Sequence, residues 1–195
     1  MAAKELTGDG GRGTGENAIS TLPTAASDEY VRRKISRPPS PVPRRSVSEV
    51  IPIASDHAGF EMKEQLEDWL KEHGYEVKDL GTDSPSSSDY ADFAHPLADM
   101  VSRGDVKRGV LLCGTGLGMA YAANRHPHVR AAVAWSPEIA ELSRKHNDAN
   151  VLVLPARFLS PEDAGQILDV FLKTGFDGGR HVRRVEKIER EETTE

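Results

Sequence analysis

The strongest constraint on this chain is a change of apolar period that recurs along residues 50–188. Short apolar runs alternate with longer stretches in which apolar residues return at helical spacing. Val50 to Ala54 reads as a strand, stopped by Ser55-Asp56-His57-Ala58-Gly59. In FEMKEQLEDWLKEH, the side chains of Phe60, Met62, Leu66, Trp69 and Leu70 fall mostly on one helical face, and Gly74 stands where that helix would end. Tyr75 to Leu80 gives a second strand, and a helix is expected over Phe93 to Arg103. Gly109 to Cys113, apolar after its glycine, has the pattern of a strand covered on both faces. A Gly-rich turn, Gly114-Thr115-Gly116-Leu117-Gly118, then leads into an alanine-rich helix. Ala131 to Trp135 is a fourth strand, Pro137 to His146 a helix and Val151 to Leu154 a fifth strand. Pro161 opens a last helix, with Ser160 placed to cap it. Strand and helix in strict alternation predict an α/β fold: a doubly wound, Rossmann-like α-β-α sandwich on a five-stranded parallel sheet.

The first 49 residues do not share this texture. Residues 1–50 hold 5 of the 12 prolines, with 8 Lys/Arg against 6 Asp/Glu, while the other 145 residues carry 17 against 25. The first part is therefore +2 and the rest -8, which together make the net charge of -6. A segment such as RRKISRPPSPVPRRSVSEV cannot bury enough apolar surface to offset its ordering entropy, so residues 1–49 are expected to be a disordered Pro/Ser/basic tail. Ser40 before a proline and Ser46 after Arg44-Arg45 would suit a docking or phosphorylation tail, although a solvated tail is the plainer reading. Residues 50–188 form the folded domain, and 189–195 a charged C-terminal tail. An acidic balance does not favour nucleic acid as a partner. No apolar run reaches the roughly 18 residues that cross a bilayer, and the first 30 residues lack a signal-type apolar segment. The single cysteine excludes an intrachain disulfide, which makes a reducing cytoplasm the default location.

In open parallel sheets, ligands bind where strand carboxyl ends meet helix starts. This directs attention to Asp56-His57, to Cys113 with its Gly-rich turn, to His146-Asn147-Asp148, and to the stretch from Gly178 to Arg184. CGTGLG lacks the dinucleotide-binding spacing, and no Gly-Lys-Ser/Thr makes it a nucleoside-triphosphate loop. Its amides can nevertheless hold an anion. Taken alone, Cys113 is more ordinarily a buried small hydrophobe. Its place before a helix start favours a thiolate, suited to act as base or nucleophile. His57 and His146 taken singly are more often surface groups, and His73, His95, His126 and His128 receive only that reading. Arg180 and Arg184, four apart, would share one face of a helix, as a solvated basic patch or as a phosphate clamp. No cluster has zinc-like spacing, so no metal and no cofactor are expected.

In combination, SDHAGFEMKEQL, the Asp-Tyr of SSSDYADFAHPLA, GVLLCGTGLGMAYAAN, the Arg130-containing VRAAVAW, LSRKHNDANVLVLPAR and FDGGRHVRRVEKI resemble the type B ribose-5-phosphate isomerases and their galactose-6-phosphate isomerase relatives. The resemblance covers residues 50–188. It implies metal-free interconversion of an aldose phosphate and a ketose phosphate, in a homodimer or homotetramer whose active site is shared between subunits. It makes Cys113 the base at carbon 2 and His146 the ring-opening acid, with Thr115 relaying a proton. Asp56, His57, Asn147 and Gly114, Thr115, Gly116, Leu117 and Gly118 would bind the substrate, with Arg157, Arg180, His181 and Arg184 at its phosphate. Members without this cysteine carry a glutamate after the last glycine of the turn, where this chain has Met119. Pro155 stands where relatives usually have glycine, and the helix start Ser136-Pro137-Glu138 is also atypical. A hexose-6-phosphate isomerase of allose or galactose type, and a non-catalytic sugar-phosphate-binding protein, are the competing readings.

Overall fold

The structure, a computed structural model, describes residues 49–189. The tails expected at either end otherwise lie outside the described residues. Glu49 accepts hydrogen bonds from Arg108, and its carbonyl pairs with Glu76 N–H. At the other end, a Glu189 carboxylate oxygen accepts from His128 N–H. Both residues are thus tied to the fold.

The strands are β1 (Val50–Ser55), β2 (Glu76–Asp79), β3 (Gly109–Cys113), β4 (Ala131–Val133) and β5 (Val151–Pro155). The helices are α1 (Phe60–Glu72), α2 (Tyr90–Ser102), α3 (Leu117–Ala123), α4 (Pro137–Asn147), α5 (Pro161–Lys173) and the short α6 (Val182–Glu186). Every strand pair is parallel and the spatial order is β2-β1-β3-β5-β4, as a doubly wound sheet requires. β3 and β5 lie between neighbours and are buried throughout. Their side chains alternate between two cores. Val110, Leu112, Leu152 and Leu154 face Met62, Leu66 and Leu70 of α1 and Ile167, Leu168 and Phe171 of α5. Leu111, Cys113, Val151 and Val153 face Leu97 and Val101 of α2 and Met119 and Ala123 of α3. Two cores on one sheet explain why these strands read as continuous apolar runs rather than alternating ones.

Most element boundaries agree with the sequence reading to within one or two residues. The largest difference is α2, which starts at Tyr90 rather than Phe93 and carries Pro96 in its interior. At α5 the Ser160 hydroxyl accepts from Asp163 N–H at 3.1 Å, as its sequence position suggests.

One buried charge fixes α1 against β2. Lys63 is fully buried, and its Nζ donates to Glu64, Glu67 and Asp79 at 2.8, 2.8 and 2.7 Å. Burial alone would depress its pKa, but the hydrogen bonds it donates to Asp79, Glu64 and Glu67 outweigh that and hold it above the ordinary lysine value. Among the described residues these three carboxylates also bring three metal-capable atoms together, and the ammonium occupies the space between them. Lys63→Ala leaves the buried Glu67 with only the longer contact from the exposed Lys71, at 3.4 Å. It should lower the unfolding free energy by about 3 kcal/mol in urea titration; a loss within error of zero would show that the pairing contributes nothing.

Candidate active site

The carboxyl edge of the sheet is built from the ends of β1, β3 and β5. Beyond β1, the Asp56 Oδ1 accepts from Ala58 N–H at 2.9 Å and Gly59 N–H at 3.2 Å, which folds the chain into the start of α1. Gly59 is required for close approach, since a Cβ there would stand 2.8 Å from Leu112 Cβ. His57 is held by Ser88, whose hydroxyl accepts His57 N–H at 3.1 Å. Ser88 N–H in turn lies 3.2 Å from His57 Nδ1. In a neutral ring Nδ1 accepts that bond and Nε2 keeps the proton; a protonated ring has Ser88 O within 3.3 Å instead. At the same edge Ser55 Oγ is buried with no partner.

Cys113 closes β3 opposite Pro155 of β5. Its side chain is 4% exposed, packed on the α2/α3 core, and Sγ accepts Gly116 N–H at 3.1 Å. Gly116 has φ +77°, the conformation that lets the turn swing its amide back over the sulfur. The other turn residues gather around it. Gly114 O accepts Arg157 N–H at 3.2 Å, and the Arg157 side chain lies over Gly114, 3.2 Å from where a Cβ would be. The Tyr90 ring lies over Gly118, within 2.9 Å of a built Cβ. Thr115 and Leu117 are exposed, and Leu117 N–H is 3.4 Å from Thr115 Oγ1. Met119, the residue after the last glycine of the turn, is fully buried in the core.

The remaining expected residues stand elsewhere. A helix that follows a strand in a parallel sheet runs back antiparallel to it. His146 and Asn147 close α4 and therefore lie at the amino edge, where β5 begins. The 178–184 stretch follows α5 and reaches the same edge, where Asp177 N–H donates to Lys145 O at 3.1 Å. Five residues of β5 separate the edges by about 13 Å. One copy of the chain therefore places these two groups of candidate residues at opposite poles of the sheet.

The group at the amino edge has its own order. The His146 and His181 rings stack at 4.4 Å with 3° between their planes. His181 Nε2 lies 3.4 Å from Arg180 Nε. Arg180 and Arg184 do not share one continuous helix; a 3-10 turn over Gly179–His181 precedes α6, and both arginines are exposed. Asp148 has no hydrogen bond to His146. Its carboxylate instead accepts from Arg130 at 2.9 Å and Arg144 at 3.0 Å, fixing the loop that carries His146 and Asn147. Roles for Ser88, Tyr90 and Arg130 were not evident from the sequence. Only the matched Asp-Tyr and Val-Arg segments marked two of them, and nothing local marks Ser88.

These loops, set on a doubly wound sheet with a thiol and histidines at its edges, define a class: an α/β protein with the side chains for proton transfer and anion binding. The chain belongs to the Ribose/Galactose Isomerase family, whose model matches residues 51–188. It is 44% identical over 138 residues to "Ribose-5-phosphate isomerase B" of Escherichia coli (strain K12), covering 71% of this chain and 93% of that relative. A crystal structure of a ribose 5-phosphate isomerase from Thermotoga maritima is 51% identical with TM-score 0.70, over 72% of this chain and 97% of that one. A ribose-5-phosphate isomerase B from Mycoplasma genitalium, solved with bound ribulose-5-phosphate, is 44% identical with TM-score 0.70, over 73% of this chain and 95% of that one. Among the described residues no helix is long and apolar enough to cross a membrane.

Burial holds the His181 imidazole below its ordinary value, and the Coulombic effect of the neighbouring His146, Arg180 and Arg184 adds to that shift. As pH falls through about 6.5 the unfolded chain takes up this proton before the folded one does, so the contribution to stability is lost on acidification. A phosphate dianion between these groups should reverse the shift. Proton NMR should find the His181 resonance titrating below the ordinary imidazole range and moving upward with added inorganic phosphate; an unmoved resonance would mean that no anion binds beside it.

Proposed function

We propose that this chain is a ribose-5-phosphate isomerase, interconverting ribose 5-phosphate and ribulose 5-phosphate by proton transfer through an enediolate. The observation that carries the reading is Cys113 Sγ at the end of β3, under the inward amide of the Gly-rich turn, with Asp56 on the neighbouring strand end donating its N–H to Leu112 O. The named activity of the relatives supplies the sugar.

After ring opening, the Cys113 thiolate removes the proton on carbon 2. The C–H electron pair becomes the second bond between carbons 1 and 2, and the carbonyl oxygen takes the negative charge. Amides of the Gly114–Gly118 turn are donors for that oxygen, in a site that needs no reorganisation as charge develops. A proton moves from the oxygen on carbon 2 to the oxygen on carbon 1, with Thr115 as relay. The thiol returns its proton to carbon 1, leaving a ketone at carbon 2. Asp56 and His57 hold hydroxyls, and Asp56 uses only Oδ1 in its own turn. Arg157 is exposed and its side chain lies over Gly114, next to the turn that holds the sulfur.

His146, the ring-opening acid, Asn147 and the phosphate-binding Arg180, His181 and Arg184 come from a second copy in this reading, because the poles of one copy are too far apart to hold one small sugar. Exposed apolar side chains near the carboxyl edge support that pairing: Leu117, Tyr121, Trp135 and Phe158 are between 49% and 72% exposed. Such a grouping is unusual on a monomer's surface. The thiol chemistry fits a reducing compartment.

The test is turnover of a pentose and hexose phosphate panel by wild type and Cys113→Ala. Wild type should turn over ribose 5-phosphate best. The alanine variant should lose at least about 1000-fold in kcat while phosphate-sugar binding survives, since a positioned base is worth two to four orders of magnitude. Equal turnover in both proteins would remove Cys113 as the base, and binding without turnover in wild type would make the chain a sensor.

A further inference from the structure

Away from both groups of candidate residues, two histidines and an aspartate meet across a seam between helices. His95 and Asp99 are one turn apart on α2, on its exposed side. His126 follows α3, in a turn whose amide donates to Ala123 O at 3.2 Å. His126 Nδ1 is 2.9 Å from Asp99 Oδ1, and His126 Nε2 is 2.8 Å from His95 Nδ1. Asp99 and the His126 side chain are 52% and 17% exposed, so the carboxylate is solvated while the ring is largely held.

The protonation pattern follows from what each atom can do. An ionised carboxylate only accepts, so His126 Nδ1 carries the hydrogen that points at Asp99. In the neutral ring this leaves Nε2 bare, with its lone pair directed at His95. A ring whose Nδ1–H is fixed by a carboxylate, presenting a bare Nε2, is the arrangement found behind metal-bound histidines. Only a proton on His95 Nδ1 now fills the space between the two nitrogens.

We propose that this seam binds a divalent transition cation of the zinc type, with His126 Nε2 and His95 Nδ1 as ligands, Asp99 as the outer carboxylate and water in the remaining positions. Bonds of about 2.0–2.1 Å in tetrahedral geometry place two ligand nitrogens about 3.3 Å apart. The observed 2.8 Å must therefore open by about half an ångström, which the exposed His95 can supply by rotating. The ion replaces one proton and joins α2 to the turn after α3, the helix that begins at the Gly-rich turn. The ligands are 31 residues apart in sequence, so no local motif reveals them. They share no residue with the machinery proposed for isomerisation.

The experiment is calorimetric titration of the full chain with zinc chloride, together with thermal melting, for wild type, His95→Ala and Asp99→Asn. Both substituted side chains are exposed, and ribose 5-phosphate turnover should be unchanged in His95→Ala, which confirms its fold. Wild type should bind zinc and melt higher with it. His95→Ala should lose one equivalent, and Asp99→Asn should bind that equivalent about 10–100-fold more weakly. Zinc binding elsewhere, for example at Cys113, would persist in both variants and drop out of the comparison. A wild-type titration without binding at millimolar zinc, or one that His95→Ala leaves unaltered, would overturn the proposal.

Discussion

A parallel strand must be followed by a return path, and this single requirement decides where each reactive group of the chain can stand. Each helix carries the chain from the carboxyl edge of the sheet back to the amino edge. Residues that follow a strand therefore collect at one pole, and residues that close a helix collect at the other. Asp56, His57, Cys113, the Gly-rich turn and Arg157 are of the first kind. His146, Asn147, His181 and the arginines of the last turns are of the second. No side-chain rotation moves a group from one edge to the other across the length of β5, and the two-sided core makes sliding of the helices costly.

The interior enforces this division. β3 and β5 present alternate residues to two separate cores, so a register slip of one residue would exchange every contact on both faces. Lys63 adds a polar restraint, tying α1 to the end of β2 through Asp79. The close approach of Gly59 to Leu112 then sets the distance between the Asp56 loop and β3. At the opposite pole Asp148, held by Arg130 and Arg144, does the equivalent work for the His146 loop. Apart from Cys113, which is itself part of the core facing α2 and α3, the candidate groups are positioned by packing that contains none of the proposed chemistry.

Much of this was legible in the sequence for a physical reason. Apolar period, capping residues and Gly-rich turns are local signals, so the five strands, the Ser160 cap and the turn after Cys113 could be read directly. The start of α2 was less legible, because residues 90–92 that open it carry no strong apolar or capping signal and Pro96 lies inside the helix. The identity of the site residues came from motifs, but their grouping did not. Sequence order says that His146 precedes β5 and that Cys113 ends β3; only the direction of each element shows that these are opposite edges. Ser88, which sets the His57 ring, and the seam of His95, His126 and Asp99 join residues 31 apart or bridge separate elements, where no periodic pattern operates.

The division into poles makes the account depend on two copies of the chain, and genetic complementation between subunits tests that dependence directly. Cys113→Ala and His146→Asn should each abolish turnover when every subunit carries the change. Co-expressed in equal amounts they form mixed dimers in half of all cases, and each mixed dimer contains one site with both native groups and one with neither. The co-expressed protein should therefore recover about a quarter of wild-type turnover. A mixture as inactive as its parents would contradict the shared site and return Cys113 and His146 to roles within a single chain.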